Sequence, residues 1–227
     1  MRFARLGFDV VINYSRSEAE ANETAALVAA AGQRAWLHRC DVSDDAAVRR
    51  MLAEVESEFG RLDVLVNNAG TTSFVDHRDL EGMTEEKWDR ILAVNLKGPF
   101  FCIRAAAPLL RQGEGGAVVN ISSVAGLSGQ GSSIAYCASK GALNTLTKSL
   151  ARALAPHIRV NAVCPGPVDT RWLRSVMTEE QLYARTADYP LPRPAQPDDI
   201  ADAVVYLATG TTLTTGQLLV VDGGRTM

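Results

Sequence analysis

Residues 116–151 read GAVVNISSVAGLSGQGSSIAYCASKGALNTLTKSLA. An apolar run leads into the serine pair Ser122 and Ser123, a Gly/Ser loop follows, and a helical pattern opens at Ser133. Continuous apolar runs of this kind fit strands buried on both faces, as in parallel sheets. The helical pattern extends to residue 156 and carries Ala142, Leu143, Leu146, Leu150 and Leu154 on one face. Strand, loop and helix in this order predict one step of a parallel α/β fold.

The same alternation extends in both directions. Strand-like runs lie at residues 9–13, 35–42, 62–67, 117–122, 159–163 and 217–221. Helical patterns fill residues 17–31, closed by Gly32, and residues 44–59, opened by Ser43 as N-cap and closed by Gly60. Another starts at Thr84 with acids in its first turn, as the helix dipole favours, and is read as one helix to about Arg111. A last one covers residues 198–207. The expectation is one α/β domain over residues 1–227, a doubly wound parallel sheet with right-handed crossovers. Residues 167–197 break the rhythm with five prolines around an acidic, helix-compatible piece at 178–188. An insertion after a parallel strand lies where such sheets bind ligands. It reads as a substrate lid, with an ordinary surface loop as the alternative. Its Trp172, Leu173, Met177, Leu182 and Tyr183 are equally suited to lining a pocket or to packing.

Composition narrows the function classes. The 227 residues carry a net charge of -3, which argues against nonspecific nucleic-acid binding. No apolar run reaches the roughly 18 residues of a membrane span, and the N-terminus has no secretory pattern. Cys40, Cys102, Cys137 and Cys164 lie far apart without metal-ligand spacing. No disulfide, metal site or membrane segment is expected.

Tyr136 and Lys140, four residues apart, share one helix face. A phenol near pKa 10 is a poor acid or base at neutral pH, and an adjacent ammonium favours its ionised form. Alone, this spacing is a weak signal. Here Ser123 precedes Tyr136 by thirteen residues, an upstream strand ends in Asn67-Asn68-Ala69-Gly70, a downstream one ends in Pro165-Gly166, and the chain closes on Val221-Asp222-Gly223-Gly224.

In this order the motifs resemble the short-chain dehydrogenase/reductase family, from about residue 9 to residue 224. The resemblance implies a Rossmann-like fold and a catalytic set of Asn95, Ser123, Tyr136 and Lys140. Tyr136 would be the acid/base. Lys140 would lower its pKa and hold the nicotinamide ribose. Ser123 would bind the substrate oxygen, while Ser122 faces the other way by strand alternation. Asn95, in AVNLKGPFF, would help hold a relay water; read without the family, it is a capping or bent-helix residue. Cofactor contacts are implied at Asp41, Val42, Asn67, Ala69, Gly70, Tyr136, Lys140, Pro165, Gly166, Val168 and Thr170. Taken alone, the Asn and Gly of these turns are residues that tolerate positive φ.

Tyr14 stands about where an NAD enzyme of this type places an acid, and Ser15 and Arg16 follow it. With no carboxylate there and an arginine beside it, the expected cofactor is NADP rather than NAD. Against the family pattern, no glycine-rich phosphate turn precedes the first strand. The expectation is that about 25 residues, a central strand, a loop and most of a helix, are absent from this sequence. The resemblance is nearest to 3-oxoacyl-acyl-carrier-protein reductases. It implies a cytoplasmic homotetramer interconverting a ketone and a secondary alcohol, whose mates pack through the helical regions 84–111 and 133–156. The alternative from a different class is a non-catalytic remnant that acts only as an oligomer partner.

Overall fold

The computed structural model describes residues 1–113 and 115–227. Its strands are β1 (Val10–Tyr14), β2 (Ala35–Arg39), β3 (Val64–Asn67), β4 (Gly116–Ile121), β5 (Ile158–Pro165) and β6 (Leu218–Val221). The helices are α1 (Arg2–Arg5), α2 (Glu18–Ala30), α3 (Asp45–Phe59), α4 (Glu85–Leu92), α5 (Gly98–Leu110), α6 (Ala125–Ser128), α7 (Ile134–Leu154), α8 (Arg171–Arg174), α9 (Glu179–Arg185) and α10 (Pro197–Thr209). A π-helical turn, Ala93–Lys97, joins α4 to α5.

All strand pairs are parallel, as the apolar runs predicted. They form two ladders, β1-β2 and β3-β4-β5-β6. Strand alternation explains the unbroken apolar run of β4. Val118 enters a core formed with Met51 and Val55 of α3 and Ile103, Ala106 and Leu110 of α5. Ala117 and Val119 enter a second core with Ile200, Val204 and Leu207 of α10. Both faces are therefore covered. The first core also receives Val11 of β1 and Trp36 of β2, so one helical layer covers both ladders. Each large side chain fully buried there, such as Ile103 or Leu110, contributes roughly 1.5–3 kcal/mol.

Several boundaries differ from the sequence reading. The second strand stops at Arg39 rather than residue 42, because β1 ends at Tyr14 and no partner continues the ladder. Asp41 and Val42 lie in the connection to α3. The N-cap of α3 is Asp44, whose carboxylate accepts the Ala47 amide at 3.1 Å, and not Ser43. Gly60 closes the helix at φ 69°. The expected single helix from Thr84 to Arg111 is two helices with the π turn between them. The predicted apolar stripe of α7 is only partly its inner face. Leu143 is buried, but Ala142, Leu146, Leu150 and Leu154 are half-buried, while Ser139, Lys140, Asn144 and Thr147 are buried beside it. Hydrogen bonds across to β4 make that polar face affordable. The 167–197 segment contains α8 and α9, and the capping box of Thr178 and Gln181 fixes the start of α9.

Candidate active site

The C-terminal ends of the parallel strands share one edge, and the predicted residues gather there. Ile121 ends β4, and Ser122 and Ser123 follow it. Ser122 turns inward, its hydroxyl donating to Asn144 Oδ1 at 2.6 Å. Ser123 takes the opposite side, and its Oγ accepts the Ala125 amide at 3.1 Å. The Ser133 Oγ caps α7 by accepting the Tyr136 amide, which sets Tyr136 in the first turn. The Tyr136 phenol faces the Ser123 hydroxyl, which favours its ionised form. Lys140, one turn on, is buried with Nζ 5.7 Å from the Tyr136 ring centre and donates to the Ile121 carbonyl at 2.7 Å.

Burial governs the protons of this group. It pushes the Tyr136 phenol above its ordinary value, and the hydrogen bond to Ser123 opposes that only in part. It pulls Lys140 down to about 8, with the nearby Cys164 thiol acting the other way. The expected lowering of Tyr136 by Lys140 is therefore not found. Desolvation is the largest influence on the phenol, and Lys140 is not among the groups that shift it. Lys140 still holds its proton for the most part at pH 7.

Asn95 lies fully buried in the π turn. Its Oδ1 accepts the Thr71 amide at 2.8 Å, and its Nδ2 donates to the Thr71 carbonyl at 2.9 Å and to Ser139 Oγ at 3.0 Å. The Ser139 hydroxyl donates in turn to the Tyr136 carbonyl at 2.7 Å. Asn95 thus ties the loop after β3 to the helix that carries Tyr136. An extra residue in a helix at such a point is a recurrent feature of functional sites.

The remaining predicted positions separate into two groups. Asn67 is buried and donates to Asn120 Oδ1 at 2.9 Å, which continues to Thr147, so its side chain serves the interior. Ala69 is exposed. Gly70 does not have positive φ, contrary to the turn reading; a Cβ there would stand 3.7 Å from Asn95 Oδ1 and from the Trp172 indole. Pro165 ends β5, and the Gly166 amide donates to the Val221 carbonyl at 2.9 Å. A Cβ on Gly166 would approach the Asp222 backbone to 2.9 Å, so the close approach explains that glycine, and positive φ does not. Val168 pairs with Ala195 and closes the neck of the lid, and Thr170 precedes α8. Tyr14 ends β1, with Ser15 and Arg16 exposed beyond it.

Three contacts escaped sequence reading because only tertiary register creates them. Arg90 of α4 pairs with Asp41 at 3.0 Å and donates to Ser43 Oγ at 2.9 Å. Burial alone would raise Asp41, but the Ser43 amide and hydroxyl and the Arg90 guanidinium hold its carboxyl below the usual range. Trp172 of the lid, 40% exposed, meets the Tyr136 ring edge-on at 6.2 Å, while Leu182 is fully buried packing. Arg171, beside it, forms an ion pair with Glu20 of α2.

The chain matches the family model described as enoyl-(acyl carrier protein) reductase over residues 1–226. A crystal structure from Burkholderia xenovorans, described as a short-chain dehydrogenase/reductase, superposes with a TM-score of 0.91 at 41% identity, covering 98% of this chain and 90% of that one. The chain belongs to the short-chain dehydrogenase/reductase family. This short-chain dehydrogenase/reductase is 41% identical to a Streptomyces violaceoruber protein named for ketoacyl reduction in the granaticin polyketide synthase, over 98% of this chain and 88% of that protein. It is 38% identical to the 3-oxoacyl-acyl-carrier-protein reductase of Staphylococcus aureus strain Mu50, over 100% of this chain and 92% of that enzyme. Membership makes it an oxidoreductase that works with a nicotinamide cofactor.

The residues described fit the nicotinamide and 2′ ends of such a group. Exposed Arg16 has no carboxylate within ion-pair distance among the described residues, Lys140 and Tyr136 stand together, and no acid follows Tyr14 before Glu18. Among the described residues no helix is long and apolar enough to cross a membrane.

The packing under Ser123 yields a stability test. A Cβ on Gly126 of α6 would lie 2.5 Å from the Lys140 carbonyl carbon and 2.6 Å from the Gly141 nitrogen, both backbone atoms that cannot rotate away. Gly126→Ala is expected to destabilise the fold by about 1–3 kcal/mol. Urea unfolding at pH 7 checks this, and an unchanged midpoint would show that α6 moves off α7 freely.

Proposed function

We propose that this enzyme reduces the ketone of a 3-oxoacyl thioester to a secondary alcohol with NADPH. The observation that carries the reading is the meeting of Ser123, Tyr136 and Lys140 at the end of β4. The names of the two relatives support the substrate class, and the arginine after β1 supports NADP. A nicotinamide bound here would supply the hydride for the new C–H bond, with the carbonyl π electrons passing to the oxygen. Ser123 donates a hydrogen bond to the carbonyl oxygen and orients it. The Tyr136 hydroxyl transfers its proton to that oxygen as negative charge develops there. A phenol kept protonated by burial suits this reductive direction. The Lys140 ammonium then faces the phenolate that forms and stabilises it until a proton is restored. The Trp172 ring lies edge-on against Tyr136. Asp41, Val42, Pro165, Gly166, Val168 and Thr170 are proposed as cofactor contacts.

The enzyme is further proposed to be a cytoplasmic homotetramer. Family analogy and the exposed small residues Ala138 and Ala153 of α7 support mates packing there. The functional test is NADPH consumption with acetoacetyl-CoA as substrate. Turnover with NADPH at least about tenfold above NADH is expected, since one lost charged contact to a phosphate is worth about 1.5–3 kcal/mol. Turnover of simple ketones with none of the thioester would overturn the substrate class, and equal use of NADH would overturn the cofactor choice.

A further inference from the structure

We propose that Arg39, on the strand next to the expected cofactor-selecting position, is a second guanidinium that grips the ribose 2′-phosphate together with Arg16. This rests on the NADP reading above. In the parallel register Tyr14 of β1 lies opposite Arg39 of β2, so the two side chains leave the same sheet face at its C-terminal edge. Arg39 Nε donates to the Ser15 carbonyl at 3.2 Å. That bond lays the guanidinium across the turn that leads to Arg16 and commits only one of its five N–H donors. The strand end that holds it is braced. Asn13 Nδ2 donates to the Cys40 carbonyl at 3.1 Å, and Asn13 Oδ1 accepts the Cys40 amide at 3.0 Å.

The charge environment points to an anion. Ser15, Arg16 and Arg39 are all exposed. Among the described residues no carboxylate lies within ion-pair distance of Arg16 or Arg39; of the two acids in the first turn of α2, Glu18 and Glu20, Glu20 is taken by Arg171. Arg39 reaches the Ser15 carbonyl and Arg16 is the next residue along, and a phosphate dianion matches a pair of guanidinium groups better than a ribose hydroxyl does. The sequence offered Arg16 because it lies two residues after Tyr14. Arg39 is remote in the chain and is brought in by the β1–β2 register alone.

The test is calorimetric binding of adenosine 2′,5′-bisphosphate and adenosine 5′-monophosphate to the whole chain, with Arg39→Ala, Arg39→Lys and Arg16→Ala compared by circular dichroism for intact folding. The unsubstituted protein is expected to prefer the bisphosphate. Arg39→Ala should weaken that ligand about tenfold and leave the monophosphate unchanged, and Arg39→Lys should recover only part of the loss, because it keeps the charge without the fork. Unchanged bisphosphate binding in Arg39→Ala, with a loss in Arg16→Ala, would overturn the role of Arg39 and leave the NADP reading standing. An unsubstituted protein that binds both nucleotides equally, or neither, would overturn the NADP reading and this inference with it.

Discussion

Tyr136→Phe is expected to lower kcat for ketone reduction by about 10³ to 10⁴, near the upper range for losing a positioned general acid. The variant removes the hydroxyl that faces Ser123 and keeps the ring that Trp172 meets at 6.2 Å. Cofactor affinity and the unfolding midpoint should therefore change little. The loss should appear in kcat rather than in KM, because the proton moves only as charge builds on the substrate oxygen. Single-turnover reduction, with NADPH affinity measured separately by fluorescence, separates the two quantities. A drop of less than about tenfold would assign the proton to another donor. An equal loss of NADPH affinity would instead make Tyr136 a binding residue.

The parts of this fold legible in the sequence are those that local physics decides. Both-face burial left an unbroken apolar run in β4, and the parallel pairings followed from it. The Ser–Tyr–Lys spacing was legible because a strand end and the first two turns of a helix place the three residues with little help from the rest of the chain. The break at Ala93–Lys97 was legible only as the bent-helix reading of Asn95, since a single extra residue leaves the apolar periodicity of α4 and of α5 each intact. Residue 42 was read into a strand because the end of β2 depends on where its partner β1 stops. The inner face of α7 was misjudged for a related reason. Periodicity ranks Leu146 and Leu150 above Asn144 and Thr147, but the polar pair meets Ser122 and Asn120 and is satisfied there. Arg90 reaches Asp41 through tertiary register, and nothing in its neighbours along the chain marks it, whereas Trp172 was legible only as a lid residue equally suited to a pocket or to packing.

Lys140 carries the other large effect, on two observables. With Nζ 5.7 Å from the Tyr136 ring centre, its charge is worth about 3 kcal/mol to a phenolate at an effective dielectric of ~20, so Lys140→Met should lower kcat by about 10². Stability tells the same story through pH. Folded, Lys140 holds its proton only to about 8; unfolded, it holds it to roughly 10.4. Between those values the unfolded chain binds more protons, so stability rises with pH there. Below about pH 8 the folded protein bears the full cost of a buried ammonium. Above roughly pH 10.4 that cost has been relieved. The stability of the unsubstituted protein relative to Lys140→Met should therefore climb by about 3 kcal/mol across this window and stay flat below it. At pH 7 the difference is small, because the variant escapes the desolvation but leaves the Ile121 carbonyl without its donor, at about 1–3 kcal/mol. Comparing the two proteins removes the common titration of buried thiols, apart from Cys164, which feels Lys140 directly. Urea unfolding of both at intervals from pH 7 to 10.5 reads the effect. Parallel curves would show that Lys140 is hydrated in the folded enzyme, and its ammonium would then be too well screened to hold a phenolate at Tyr136.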